Sequence, residues 1–322
     1  KTISNGLNLS TDGGLVWIKV RSQAQHHALF DTERGATKYL KSSATSAEAT
    51  RTDTLTSFNS NGFSLGNDSS GALVNTSGQT YASWTFKKKA KFFDVVTWTG
   101  NGTAGRTISH NLGTTVGCVM IKNTSNAENW MVYHIGSGID GQLNLNTNAA
   151  AVDESSQFND TVPSSTVLTL GANSEVNYNG QTYVAYLFAH DTDASSIIKC
   201  GSYTGTGSAN NAVTLGWEPQ WLIVKSASGT GSVQNWDMFD NQRGFSSGST
   251  TGELFPNTAI AERTVSNRMN ATATGFSTGT SSVDEINASG ITYIYMAIRA
   301  ENIPTITYDP NLQWSGGTAP TL

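Results

Sequence analysis

The strongest constraint on this chain is that it repeats itself three times. Lys19, Lys122 and Lys225 each close an apolar run, and the interval is 103 residues both times (19 to 122, 122 to 225). The runs are Leu15-Val16-Trp17-Ile18-Lys19, Cys118-Val119-Met120-Ile121-Lys122 and Trp221-Leu222-Ile223-Val224-Lys225. A second signature follows each run: Val74-Asn75 leading to Gly78-Gln79-Thr80-Tyr81, Val176-Asn177 leading to Gly180-Gln181-Thr182-Tyr183, and Ile286-Asn287 leading to Gly290-Ile291-Thr292-Tyr293. A period of this kind sets the architecture before any residue is read for chemistry. It also argues against an enzyme, because a catalytic site is usually built once.

The 322 residues fit three modules of about a hundred residues better than one domain. Only 13% of residues are charged, about half the usual share, so Ser, Thr, Asn and Gly must fill the surface. The net charge is −5. Lys87, Lys88, Lys89, Lys91 and Arg106 form the one notable basic cluster. A groove tracking phosphates needs a wider stripe, so no nucleic-acid partner is expected, and the cluster reads as a charged strand edge. No apolar stretch approaches 18 residues, so no membrane partner is expected. Lys1 is not Met, so the numbering is expected to start inside a longer product or after processing. Cys118 and Cys200 fall in different modules without zinc spacing, and each reads as a buried hydrophobe.

Strand signals dominate. Leu15 to Val20 is apolar on both faces, as for a strand covered on both sides. Tyr81 to Phe86, Tyr183 to Phe188 and Tyr293 to Ile298 read as half-buried strands carrying large residues at alternate positions. Thr45 to Arg51 and Thr258 to Arg268 read as short helices or ordered loops. The expected fold is all-β: three tandem β-sandwich, jelly-roll-like modules of ~100 residues, at 1–90, 91–193 and 194–302, with a strand-like tail at 303–322.

Modules two and three open with an extra strand-turn unit, Asp94 to Gly102 and Ile197 to Gly207. Module one lacks it: Lys1-Thr2-Ile3-Ser4 matches Arg106-Thr107-Ile108-Ser109, which lies beyond that strand. The tail has residues to spare, with Ile306, Tyr308 and Trp314 in strand-like surroundings. A sheet missing a strand leaves backbone groups unpaired. Either upstream residues of a longer protein supply the strand, or the tail of one copy fills the gap in the next. The second alternative makes Ile3, Ile306, Tyr308 and Trp314 self-assembly residues and builds a filament, because such a contact need not close.

Candidate chemistry is sparse. Asp31-x-x-Arg34-Gly35 recurs as Asp240-x-x-Arg243-Gly244 and reads as an ion pair pinning the turn after a strand, with a ligand clamp as the alternative. His26, His27, Trp130 and Trp236 are the candidate ligand-binding residues, because a sugar site wants aromatic faces beside amides. Asp153-Glu154, Asp191, Asp193 and Asp284-Glu285 are scattered, and neighbours on a strand point to opposite faces, so no glycosidase pair is read. Asn67-Asp68 has no calcium-loop spacing. No nucleophile elbow, zinc helix or phosphate loop occurs, so no catalytic residue, metal ligand or cofactor is assigned.

Three stretches carry a family resemblance: Gly13-Gly14-Leu15-Val16-Trp17-Ile18-Lys19, Asp31-Thr32-Glu33-Arg34-Gly35-Ala36-Thr37-Lys38-Tyr39-Leu40, and Leu55 to Gly66. They resemble a module of marine bacteriophage virion proteins, cyanophages included, of the tail-fibre, appendage or decoration type. Through the repeats the resemblance covers most of the chain, and Trp314 to Leu322 is similar to a phage tail-protein pattern. It implies a β-rich structural or adhesive role and no catalytic residues. Module two departs from the pattern, with His134 in place of Asp31 and Asp240 and no following Arg. The expected protein is therefore a non-enzymatic virion component at the virion surface. Its partners would be copies of itself, other virion proteins or a host-surface glycan. The alternative is an extracellular bacterial adhesin or filament polymerising head to tail.

Overall fold

The structure, a computed structural model, describes residues 1–69, 71, 73–229, 234–246, 250–279 and 285–300. Ile306, Tyr308, Trp314 and Asp284 lie outside the described residues. The fold is nearly all-β, and every strand pairing is antiparallel. No helix among the described residues is long and apolar enough to cross a membrane.

Each lysine-ended run is an anchor strand at Gly14–Val20, Val116–Asn123 or Pro219–Ser226. On one side each pairs with a partner strand, at Ala28–Asp31, Trp130–His134 or Asp237–Asp240. On the other it pairs with a closing strand, at Tyr81–Lys87, Thr182–Ala189 or Thr292–Arg299. An opening strand, Phe93–Thr99 or Ile198–Thr204, then pairs with the second and third closing strands. Among the described residues the first closing strand has no such neighbour. Smaller ladders cover one face of each sheet. Thr2–Ile3 pairs with Gly62–Leu65 as Arg106–Ser109 pairs with Val167–Leu170 and Ala212–Thr214 with Gly275–Thr278.

The first and third anchor strands are apolar on both faces because they line two cores each, whereas the second is buried on both faces in one. Val16 and Ile18 pack in a core within the first sheet pair, and Leu222 and Val224 in one within the last. The alternate residues Leu15, Trp17, Trp221 and Ile223 instead join one central core with Met120 and Ile121. The three sheets therefore share an interior and are not beads on a string.

The two segments read as short helices contain none. Ala49–Thr50 and Arg263–Ser266 are strands in two-stranded ladders. Nearby, the backbone N–H groups of Glu48 and Glu262 are spent on bonds to other sheets, which removes donors that a helix would use internally.

Candidate functional site

The places where chemistry could reside are the junctions between the sheets, and these form a ring. Glu48 N donates to Thr124 O at 3.0 Å, Ala151 N to Ala227 O at 2.9 Å, and Glu262 N to Arg21 O at 2.9 Å. The acceptors Arg21, Thr124 and Ala227 each lie two residues beyond the repeated lysine. The first module thus bonds to the second, the second to the third, and the third back to the first.

The candidate aromatic residues lie inside the same junctions. Trp130 is fully buried, and its Nε1 donates to Lys41 O at 2.8 Å. Trp236 is buried, and its Nε1 donates to Asn144 O at 3.1 Å. His27 holds the equivalent place in module one and is fully buried. Its Nδ1 accepts from Trp17 Nε1 at 2.9 Å, which assigns the proton to Nε2. Burial pushes the His27 pKa well down, the charges of Lys19 and Arg243 add to this, and a hydrogen bond with the Phe255 backbone opposes it. His26 is half-buried and bonds Ser43 Oγ. Three of the four candidate ligand-binding residues are thus buried, and only His26 keeps partial exposure. Trp130 and Trp236 present no face to a ligand, because the junctions that bury them also use their indole N–H groups, and His27 is closed off by its burial.

The Asp-Arg motif is likewise structural. Arg34 donates from Nε to Asp31, from Nη1 to Glu48 at 3.1 Å and from Nη2 to Leu29 O at 2.9 Å. Arg243 repeats this with Asp240, Glu262 and Met238 O. Each Asp also receives a donor from the neighbouring sheet. Tyr186 Oη donates to Asp31 at 2.8 Å, and Trp84 Nε1 donates to Asp240 at 2.9 Å. At the junction of modules two and three the corresponding closing-strand residue is Met296, which has no donor. A carboxylate there would be stranded. His134 replaces it: Nδ1 accepts from Gly136 N at 3.0 Å, and Nε2 donates to Tyr295 O at 3.0 Å. Burial lowers the His134 pKa to about 3. Ser137 and Ala151 stand where Arg34 and Glu48 do, so the whole charged set changes together.

The three repeated lysines are buried, at 0–1% exposure. Their ammonium groups donate to Val20 O at 2.6 Å, Asn123 O at 2.8 Å and Ser226 O at 2.9 Å. Burial lowers each pKa to about 8, opposed by acidic neighbours: Glu262 for Lys19, Glu128 and Glu175 for Lys122, and Asp237 for Lys225.

One charged group escaped sequence reading. Asp237, Glu253 and Glu285 bring carboxylate oxygens within 4.8 Å of one another. Arg268 and Arg263 bridge Glu253 and Glu285. Burial, then the Glu253 carboxylate, pushes the Asp237 pKa well up, against the lowering effect of Arg268. The group spans Asp237 to Glu285 in sequence, too far apart for a motif. Asp140, Asp153 and Asp160 form an exposed acidic trio. Asp68 is buried and accepts from Val74 N, Asn75 N and Arg51, which occupies its carboxylate. Both cysteines are buried and free. In the basic cluster, Lys87 pairs with Asp12, Lys88 with Glu33 and Lys91 with Asp193.

The remaining site is the first closing strand. Two cavities flank it. One of about 400 Å³ is lined by Trp84, Gln220, Trp221, Arg243 and Ile298 among others. One of about 430 Å³ is lined by Ile3, Phe63, Leu65, Val74 and Tyr81 among others. Ile3 is half-buried, pairs with Phe63 in its own ladder and lines the second of these cavities. A family model described as a domain of unknown function (DUF7483) matches residues 2–302. No curated protein and no solved structure matches the chain.

Proposed function

The chain belongs to the DUF7483 family, a domain of unknown function, and we propose that it is a non-enzymatic structural protein of a phage virion: a tail-fibre, appendage or surface-decoration subunit built from three jelly-roll-like modules. One observation carries this reading. The histidine, tryptophans and aspartates that could have formed a site are bonded across the sheet junctions, and the repeated lysines are buried against adjacent backbone carbonyls. A chain that commits its polar side chains to internal locking, and keeps a lightly charged surface rich in Ser, Thr and Asn, suits a durable particle component. Its partners would be copies of itself or other virion proteins. The test is particle composition. Antibodies against the chain should label purified marine phage particles whose genomes encode it. Particles lacking the chain overturn the proposal, and hydrolysis of host polysaccharide by the pure protein would replace it with an enzyme.

A second reading, an extracellular filament polymerising by head-to-tail strand complementation, is favoured by the edge of Tyr81–Lys87, which has no strand neighbour on that side among the described residues. Electron microscopy separates the two: continuous polymers of pure protein support the filament, and a discrete subunit on a particle supports the virion component.

A further inference from the structure

We propose that the vacant place beside Tyr81–Lys87 is filled by the chain's own residues 311–316, which close the three-module ring on itself. The inference rests on succession around the ring. The segment following the first closing strand forms the opening strand of the second sheet, at Phe93–Thr99. The segment following the second closing strand forms that of the third, at Ile198–Thr204. The third module adjoins the first through Glu262 and Arg21. The third closing strand therefore ends beside the one sheet that, among the described residues, lacks an opening strand. Local geometry agrees. Ile298 lines the 400 Å³ cleft together with the edge from Tyr81 to Phe86. Gln220, also in that wall, donates to Arg299 O at 2.9 Å. From Ala300 to Asn311 an extended chain reaches roughly 36 Å, enough to cross a cleft whose wall it already borders.

The filled sheets define what the strand must supply. Trp98 stacks on Tyr183 with ring centroids 5.4 Å apart, and Tyr203 stacks on Tyr293 at 5.1 Å. Trp98 Nε1 donates to Val176 O at 3.1 Å, and Tyr203 Oη donates to Ile286 O at 2.6 Å. In the first module the corresponding Tyr81 and Val74 border the 430 Å³ cavity instead. Two residues after each aromatic comes a glycine, Gly100 or Gly205. Its N–H donates to Gln181 O or Ile291 O, and a Cβ there would overlap the Tyr178 or Ala288 carbonyl oxygen.

Trp314-Ser315-Gly316 meets both demands, with the aromatic opposite Tyr81 and the glycine opposite Gln79. Tyr308-Asp309-Pro310 meets only the first, because Pro310 has no N–H to donate. The register then sets Asn311 against Trp84 and Gln313 against Ala82.

The test uses the 1–322 chain carrying Ala82→Cys and Gln313→Cys. Gly100 and Gln181 form a hydrogen-bonded pair, so by alternation positions 82 and 313 form a non-hydrogen-bonded one. Such pairs have Cα atoms about 4.5 Å apart, within disulfide range. The expected result is an intrachain disulfide in a monomer, read by intact mass and non-reducing electrophoresis. An interchain disulfide means the tail serves another copy and overturns the proposal in favour of the filament; no disulfide also overturns it. Hydrogen exchange supplies a second reading that needs no engineered cysteine. The Gly78, Tyr81 and Ser83 amides should exchange at least tenfold faster after Trp314→Ala, and equal exchange in both proteins refutes the closure.

Discussion

Replacing His134 with Asp should unlock one junction of the ring. Module two would then carry the residue that modules one and three use, without the partners that make it tolerable. The introduced carboxylate would face Tyr295 O, where His134 Nε2 now donates at 3.0 Å. Ser137 supplies no guanidinium, and Met296 supplies no donor. His134 is 2% exposed, so water cannot compensate. An uncompensated buried charge of this kind costs about 3–5 kcal/mol at pH 7. The pH dependence makes the test specific. His134 has its folded pKa lowered to about 3, so the unfolded chain binds the proton first. The native protein therefore loses stability as pH falls below 6.5, by about 2 kcal/mol at pH 5 and about 3 kcal/mol at pH 4 from this group alone. The introduced carboxyl has the opposite sign. Its folded pKa is raised, so its cost is greatest at neutral pH and fades as the pH falls toward 4. Denaturant unfolding followed by tryptophan fluorescence from pH 4 to 8 should give curves far apart at pH 7 and convergent near pH 4.5. A loss below 1 kcal/mol at pH 7, or a gap independent of pH, would refute the reasoning.

Further outcomes follow from the same interior. The buried Lys19, Lys122 and Lys225 have folded pKa values lowered to about 8, so the unfolded state binds more protons from there to about 10.5. Stability should therefore rise with pH between 8 and 10, by at most about 3 kcal/mol per lysine. Above pH 10 the buried Tyr133, Tyr183 and Tyr295, raised to about 12, reverse the trend; thermal unfolding across this range checks both signs. Asp237→Asn keeps a neutral group beside Glu253 and should cost less than about 1 kcal/mol, whereas Glu253→Gln strips Arg263 and Arg268 of a counter-charge and should cost about 2–4 kcal/mol. The opposite order in urea unfolding would show that Asp237 is ionised. Trp236→Phe should cost about 0.5–1.5 kcal/mol by removing one bond to the Asn144 carbonyl, which keeps that from Thr147 N, and should leave any glycan binding unchanged on an array.

The all-β character and the strand positions were legible in the sequence because short apolar runs with period-two neighbours have few other solutions. Apolarity on both faces of Leu15 to Val20 correctly indicated a strand covered twice. What covered its second face was not legible. The central core joins Trp17 to Trp221 and Met120, and nothing local marks that contact. The departure of His134 from Asp31 and Asp240 was visible, but its cause was not. The partners Tyr186, Trp84 and Met296 sit on other sheets, more than 150 residues away from the group they face. Trp130 and Trp236 looked like sugar platforms because polar residues precede them. Burial by a neighbouring module is invisible to any window that reads one module at a time.

The bond between Arg21 and Glu262 has a consequence for how the protein is made. Its partners lie 241 residues apart, so no nascent chain can form it until nearly all of the sequence has been translated. At roughly 5–20 residues per second, Arg21 leaves the ribosome about 12–48 s before Glu262. For much of that interval Leu15, Trp17 and Leu29 lack the third module's share of the central core, which includes Trp221, Ile223 and Met238. A cell making many copies at once would hold a pool of half-finished chains with these apolar strands partly uncovered. Release from the ribosome, or sequestration by a chaperone, is then the step at which yield is decided.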